Sequence, residues 1–252
     1  MKARTVFWLG MFVFAACIAM PSALPAQDKP LLPAKIKPAE LPPDVAFGRS
    51  IAFIRGHLLT GDELVGRRQW SAAYPHFRFP TEEVYGVIRE DLRTYKTPPF
   101  DYALKTLAYA VRAYSPVRYR SARNKVEDAL TAADAGLRAR QANWPRFVVA
   151  VAIEVLKAAP DEYDDAVAKG RIVRPIGYQT GRGFILQADR MIESVAGELG
   201  FDNAAALRDM RDGLAQLKQG FASVTPPRRP IMDPAVVFGT VSQIELAAGK
   251  LR

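Results

Sequence analysis

His57 and His76 are the only imidazoles in the chain, and each has carboxylates nearby in sequence. His57 lies in Arg55-Gly56-His57-Leu58-Leu59, just before Asp62 and Glu63. His76 lies in Tyr74-Pro75-His76-Phe77, shortly before Glu82 and Glu83. Two nitrogens with one or two oxygens suit iron, copper or zinc, and a position left open suits transport or exchange. Sharing an ion requires the two flanking helices to pack as a hairpin, with the ring nitrogens within about 4 to 5 Å of each other. The alternative is two unrelated histidines, one packed and the other capping a helix or exposed. Asp164 offers a further oxygen from the acidic run Asp161-Glu162-Tyr163-Asp164-Asp165. That run sits at a helix start, where the dipole favours carboxylates, or it is a hard-cation site, although its spacing is not that of an EF-hand loop. The candidate metal ligands are therefore His57, His76, Glu82, Glu83 and Asp164, for iron or copper.

Other chemistries find little support. No Ser-His-Asp order or nucleophile elbow is present, and the expectation is a protein that is not an enzyme. Gly181-Arg182-Gly183 follows no strand, so it is not a dinucleotide loop; glycines there allow a kink or a close helix crossing. Cys17, the single cysteine, lies near the N-terminus. Once it is removed, thiolate metal sites and thiol redox chemistry are excluded.

The elements that must position these residues are helices. Ile51, Ile54, Leu58 and Leu59 repeat at helical spacing, and Trp70, Ala73 and Phe77 continue it as far as Pro80. Thr81 is placed to cap a next helix that buries Val84, Val87, Ile88, Leu92 and Tyr95. After Pro98-Pro99 a helix carries Leu104, Leu107 and Val111, and an arginine-rich one follows from Val117 to Gln141. Asn143 caps a helix that is apolar on most sides and therefore central. Further helices are expected from Pro160 to Gly170, from Pro175 to Leu199, from Asn203 to Phe221, and from Ala235 to Lys250. No strand alternation is long enough for a sheet. The expected fold is all-α, a bundle of eight or nine helices.

The N-terminus reads as an export signal. Lys2 and Arg4 precede the uncharged apolar run Val6 to Met20, and cleavage is placed after Ala26. Cleavage after Ala19 and lipidation of Cys17, in Phe14-Ala15-Ala16-Cys17, are alternatives. Residues 27–44 hold five prolines and read as an extended linker. Residues 45–252 form the helical domain, with 45–142 and 143–252 as an alternative division into two subdomains. The expected compartment is the periplasm, or its membrane surface if Cys17 is lipidated. The formal charge of +9 falls to +7 once Lys2 and Arg4 leave with the leader. A basic exported protein suits an anionic membrane surface and not nucleic acid. Gly61, Leu64, Trp70, Ala73 and Phe77 also loosely match one tetratricopeptide helix pair, which would make the chain a protein–protein interaction module.

Two stretches carry a family resemblance. Glu162-Tyr163-Asp164-Asp165-Ala166-Val167-Ala168-Lys169-Gly170-Arg171-Ile172-Val173, followed by Tyr178-Gln179 and Gly183-Phe184, resembles the periplasmic helical regions attached to iron-permease-type transporters. Gly56-His57-Leu58-Leu59, Pro75-His76-Phe77 and Pro80-Thr81-Glu82-Glu83-Val84-Tyr85 resemble a motif of exported bacterial helical proteins, in which a Gly-His-Leu element precedes His-x-x-His-Pro-x-x-Glu. The chain departs from these patterns at Phe79, where the second offers His, and at Gly177, where the first offers Glu. The resemblance implies a periplasmic helper in metal uptake, with a membrane metal transporter or another envelope protein as partner.

Overall fold

A computed structural model describes residues 41–252. The expected signal peptide, Cys17 and the linker up to residue 40 lie outside the described residues. The described chain is all-α. Its helices are α1 (Pro43–Gly66), α2 (Trp70–Phe79), α3 (Tyr85–Ile88), α4 (Asp101–Arg112) and α5 (Pro116–Arg138), then α6 (Trp144–Leu156), α7 (Ala159–Ala166), α8 (Pro175–Val195), α9 (Ala204–Gly220) and α10 (Pro234–Ala248). A two-residue antiparallel ladder, Val167–Ala168 with Arg171–Ile172, turns the chain between α7 and α8.

Proline starts most of these helices. It occupies the first or second position of α1, α5, α6, α7, α8 and α10. Its fixed φ is helical there, and its missing N–H would have had no partner in any case. Asn143 caps α6 by accepting from the Arg146 amide at 3.1 Å, and Asp233 caps α10. Gly200, at φ +77°, ends the α8 segment.

One expected helix is not formed. From Pro80 the chain passes through a π turn, Pro80–Val84, into the single turn α3, and residues 89–96 are turns. Thr81 caps nothing, and its hydroxyl has no hydrogen-bond partner among the described residues. Proline cannot donate to the preceding turn and its ring crowds it, so the backbone widens where an α-helix would have continued. Val87 is consequently exposed, whereas Ile88, Leu92 and Tyr95 still reach the core. Tyr95 stacks on Phe47 and donates to Asp44 at 2.8 Å, which fastens the turns to the start of α1.

α1, α6 and α8 pack on one another at the centre of one apolar core. α2 and α5 lie against α1, and α4 packs on both of them. α6, α8, α9 and α10 contact in a closed cycle, with α7 against α8 and α10. α6 contacts α1, α8 and α10, with Val149, Val151, Ala152, Val155 and Leu156 all buried, as its largely apolar sequence requires. Among the described residues no helix is long and apolar enough to cross a membrane.

The Pro-rich segment between α9 and α10 is held by its own backbone carbonyls. Arg182 Nε donates to Phe221 O, Tyr178 Oη to Ser223 O, Gln179 Nε2 to Val224 O and Tyr163 Oη to Met232 O, at 2.9, 3.0, 3.1 and 2.7 Å. Arg182 is buried and also pairs with Glu63 of α1 at 2.6 Å. Arg182→Met should therefore leave the Phe221 carbonyl and one oxygen of Glu63 without a partner, Arg67 still holding the other, and cost about 2 kcal/mol. A shift of the denaturant midpoint at unchanged m-value would measure it, and an unshifted midpoint would contradict it.

Candidate functional site

His57 and His76 meet in the core. On α1, His57 shares the buried stripe of Ile54, Leu58, Gly61 and Leu64. On α2, His76 is buried beside Ala73 and Phe77 at helical spacing. Pro75 inside α2 removes the amide that would have bonded the Ser71 carbonyl. The α1–α2 hairpin brings the two Nδ1 atoms to 3.4 Å.

The third component comes from α8, more than a hundred residues further along the chain. Gly183 packs on the Gly56 carbonyl, and a Cβ at Gly183 would sit 2.5 Å from Thr60 Oγ1. This close crossing sets Gln179 against the hairpin. Thr60 Oγ1 donates to the Gln179 carbonyl at 3.1 Å, and the Gln179 side chain lies 3.2 Å from His76 Nε2.

These contacts determine where the protons sit. The Val224 carbonyl can only accept, so it is faced by the Gln179 amide nitrogen, which donates at 3.1 Å. Gln179 Oε1 is thereby turned to His76, and His76 Nε2 must carry the proton. His76 Nδ1 is left as a bare lone pair aimed at His57 Nδ1. At 3.4 Å the pair is long for a hydrogen bond. Two bonds of metal–imidazole length at a tetrahedral angle span about 3.3 Å. His57, protonated on Nε2, would complete two converging lone pairs.

The surroundings are apolar and uncharged. Phe79 and Phe184 stand edge-on to the His57 ring. Burial lowers the pKa of His57 to about 3, with the His76 charge adding to it, and burial lowers that of His76 to about 4 against the opposing bond from Gln179. Both imidazoles are neutral at ordinary pH, the form that ligates metal. No carboxylate acts on either ring.

The expected carboxylates lie elsewhere. Glu82, Glu83 and Asp164 are all exposed. Glu82 pairs with Arg78 at 3.4 Å, and the Glu83 charge acts on Glu162 of α7, whose pKa is raised chiefly by burial. The π turn after Pro80 swings both glutamates to the surface, and Asp164 occupies the solvent face of α7. Asp62 and Glu63 are likewise engaged, by Tyr119 and Arg123 and by Arg182. Among the described residues no group of three or more His, Cys, Asp or Glu could hold a metal ion. The site consists of two histidines and an amide. Gln179 lies within the family-like stretch, and the sequence gives it no role. The pair of glycines just after it, Gly181 and Gly183, inside the unbroken α8, is the available signal of a close approach.

Residues 138–251 match the model of a family described as the iron permease-associated 4-helix bundle domain. The matched residues hold α6 to α10, whose four longer helices, α6, α8, α9 and α10, close the cycle described above. The resemblance read from Glu162 to Phe184 falls inside this match. Gln179 lies inside it as well, whereas His57 and His76 lie outside, on α1 and α2. No curated protein and no solved structure matches the chain.

Proposed function

We propose that this protein is a periplasmic accessory of iron uptake that holds a transition-metal ion, iron or copper, between His57 and His76 and passes it to a membrane metal transporter. The observation that carries this reading is the 3.4 Å approach of the two Nδ1 atoms, with Gln179 directing the His76 lone pair inward. An outer partner on the far nitrogen is the usual means of fixing a ligating imidazole. The match of α6 to α10 to an iron permease-associated domain supports the biological setting.

Two neutral ligands contribute no countercharge. A divalent ion there keeps its full charge in apolar surroundings, which disfavours tight retention. Weak holding suits a protein that hands its cargo on. The other coordination positions fall to water or to the partner.

The test is elemental analysis and titration of the purified protein with ferrous and cupric ions. One ion per chain is expected, with stoichiometric binding absent in His57→Gln/His76→Gln. Gln179→Leu should weaken affinity by about 10- to 100-fold while both ligands remain. Equal metal in the native protein and the double variant would overturn the proposal.

A further inference from the structure

A separate cavity of about 360 Å³ lies between α1, α5, α6 and α8. Gly48, Ala52, Arg55 and Leu59 line it from α1. At 100° per residue they project from the side of that helix opposite His57. The cavity shares no lining residue with the histidine site. Its volume falls in the range of small-molecule sites.

The walls are of two kinds. Ile51, Trp144, Phe147, Val148 and Val151 form an apolar bed. Facing it is a row of charges already paired with one another. Arg55 grips Asp134 through both terminal nitrogens, at 2.9 and 2.8 Å, and Arg123 pairs with Glu127 at 2.9 Å. These carboxylates are committed, so the cavity has no vacant oxygen ligands for a cation. Two groups on one face of α8 remain. Arg190 lines the cavity and has no ion-pair partner among the described residues. Gln187 also lines it, is only 6% exposed, and has no side-chain hydrogen bond among the described residues. The Gln187 residue is largely enclosed, but its carboxamide stays accessible from the cavity and free to bond a ligand there.

We infer that this cavity binds a small organic anion, with an apolar or aromatic body laid on Trp144, Phe147 and Val151 and a carboxylate or sulfonate held by Arg190 and the Gln187 amide. An apolar pocket with a few convergent polar groups is the usual form of such a site. The surplus positive charge of Arg190 selects an anion over a neutral analogue. An inorganic anion such as phosphate would leave the apolar bed unused.

Titration of the full chain with anilinonaphthalene sulfonate, followed by fluorescence, tests the assignment. N-phenylnaphthylamine supplies the same rings without the charge. One saturable site that prefers the sulfonate is expected. Arg190→Glu, at an exposed position, should weaken the sulfonate by at least about tenfold and leave the neutral probe within about twofold. Gln187→Leu should weaken the sulfonate only. Absence of saturable sulfonate binding overturns the inference. So does equal sulfonate affinity in the native protein and Arg190→Glu, whatever the behaviour of Gln187→Leu.

Discussion

Lowering the pH from 7 to 5 should destabilise the metal-free protein by about 4 kcal/mol, nearly all of it through His57 and His76. In the folded chain their pKa values are lowered from 6.5 to about 3 and about 4, and the cause in each is foremost burial. The unfolded chain returns both to the ordinary value. Between pH 6.5 and pH 4 the unfolded state therefore binds protons that the folded state refuses. Stability is fully present above the unfolded value and is lost as pH falls through this window. Each histidine contributes about 2 kcal/mol of that loss by pH 5. Both side chains are almost fully buried, so solvent screening does not reduce the effect. The carboxylates held low by partners, Asp44, Glu127 and Glu193, start from 3.8 or 4.5 and lose their contribution in a lower window. Urea unfolding at pH 7 and pH 5 separates the two. In His57→Gln/His76→Gln the difference between the two pH values should shrink to under about 1 kcal/mol. Equal unfolding free energies at both pH values for the native protein would rule the account out.

Gly183→Ala should cost about 3 kcal/mol and disable the histidine site together with the fold around it. The added methyl would meet the Gly56 carbonyl and Thr60 Oγ1, both on α1, and backbone cannot yield as a flexible side chain can. Inserting a methyl into a filled helix crossing typically costs about 1–3 kcal/mol, and this contact belongs at the upper end. Separating α8 from α1 also lengthens the bond from Thr60 to Gln179 and withdraws Oε1 from His76. Metal affinity should then fall by at least about tenfold in the molecules that remain folded. Gly86→Ala is the matched control. A Cβ there meets nothing within 4 Å, and alanine is the better helix former by about 1 kcal/mol. Denaturant midpoints of the two variants, read at equal m-value, should move in opposite directions. A Gly183→Ala protein as stable as the native one would show that the crossing is not close.

The features legible in the sequence are those that local chemistry decides. Proline and glycine punctuation located most helix ends, Asn143 announced α6, and the all-round apolar pattern of that helix placed it at the centre. A hairpin bringing His57 to His76 was one of two readings the sequence allowed, because the nineteen positions that separate them cover the end of one helix, a turn and the start of the next. Two features were not legible. Glu82 and Glu83 are near His76 in sequence, but the direction they take depends on how the backbone passes Pro80, and the π turn there carries them to solvent. Gln179 reaches His76 across 103 residues through a helix crossing, and no local period reports a contact of that kind. The committed pairing of Asp62 with Arg123, and of Glu63 with Arg182, is equally long-range.

The loop between α9 and α10 is gripped through main-chain oxygens by Tyr163, Tyr178, Gln179 and Arg182. Such recognition is indifferent to the identity of the residue that supplies the oxygen. Phe221 and Val224 at its start and Met232 at its end also pack into the core, but between them the segment supplies these contacts with little more than a backbone path. A change in Thr225 to Ile231 that preserves that path is therefore nearly silent, whereas a change in any of the four donors releases the loop. At Gln179 it also frees a histidine. One residue thus ties the placement of a surface segment to the orientation of a buried imidazole, and the part of the chain most open to rewriting is bolted to the part least open to it.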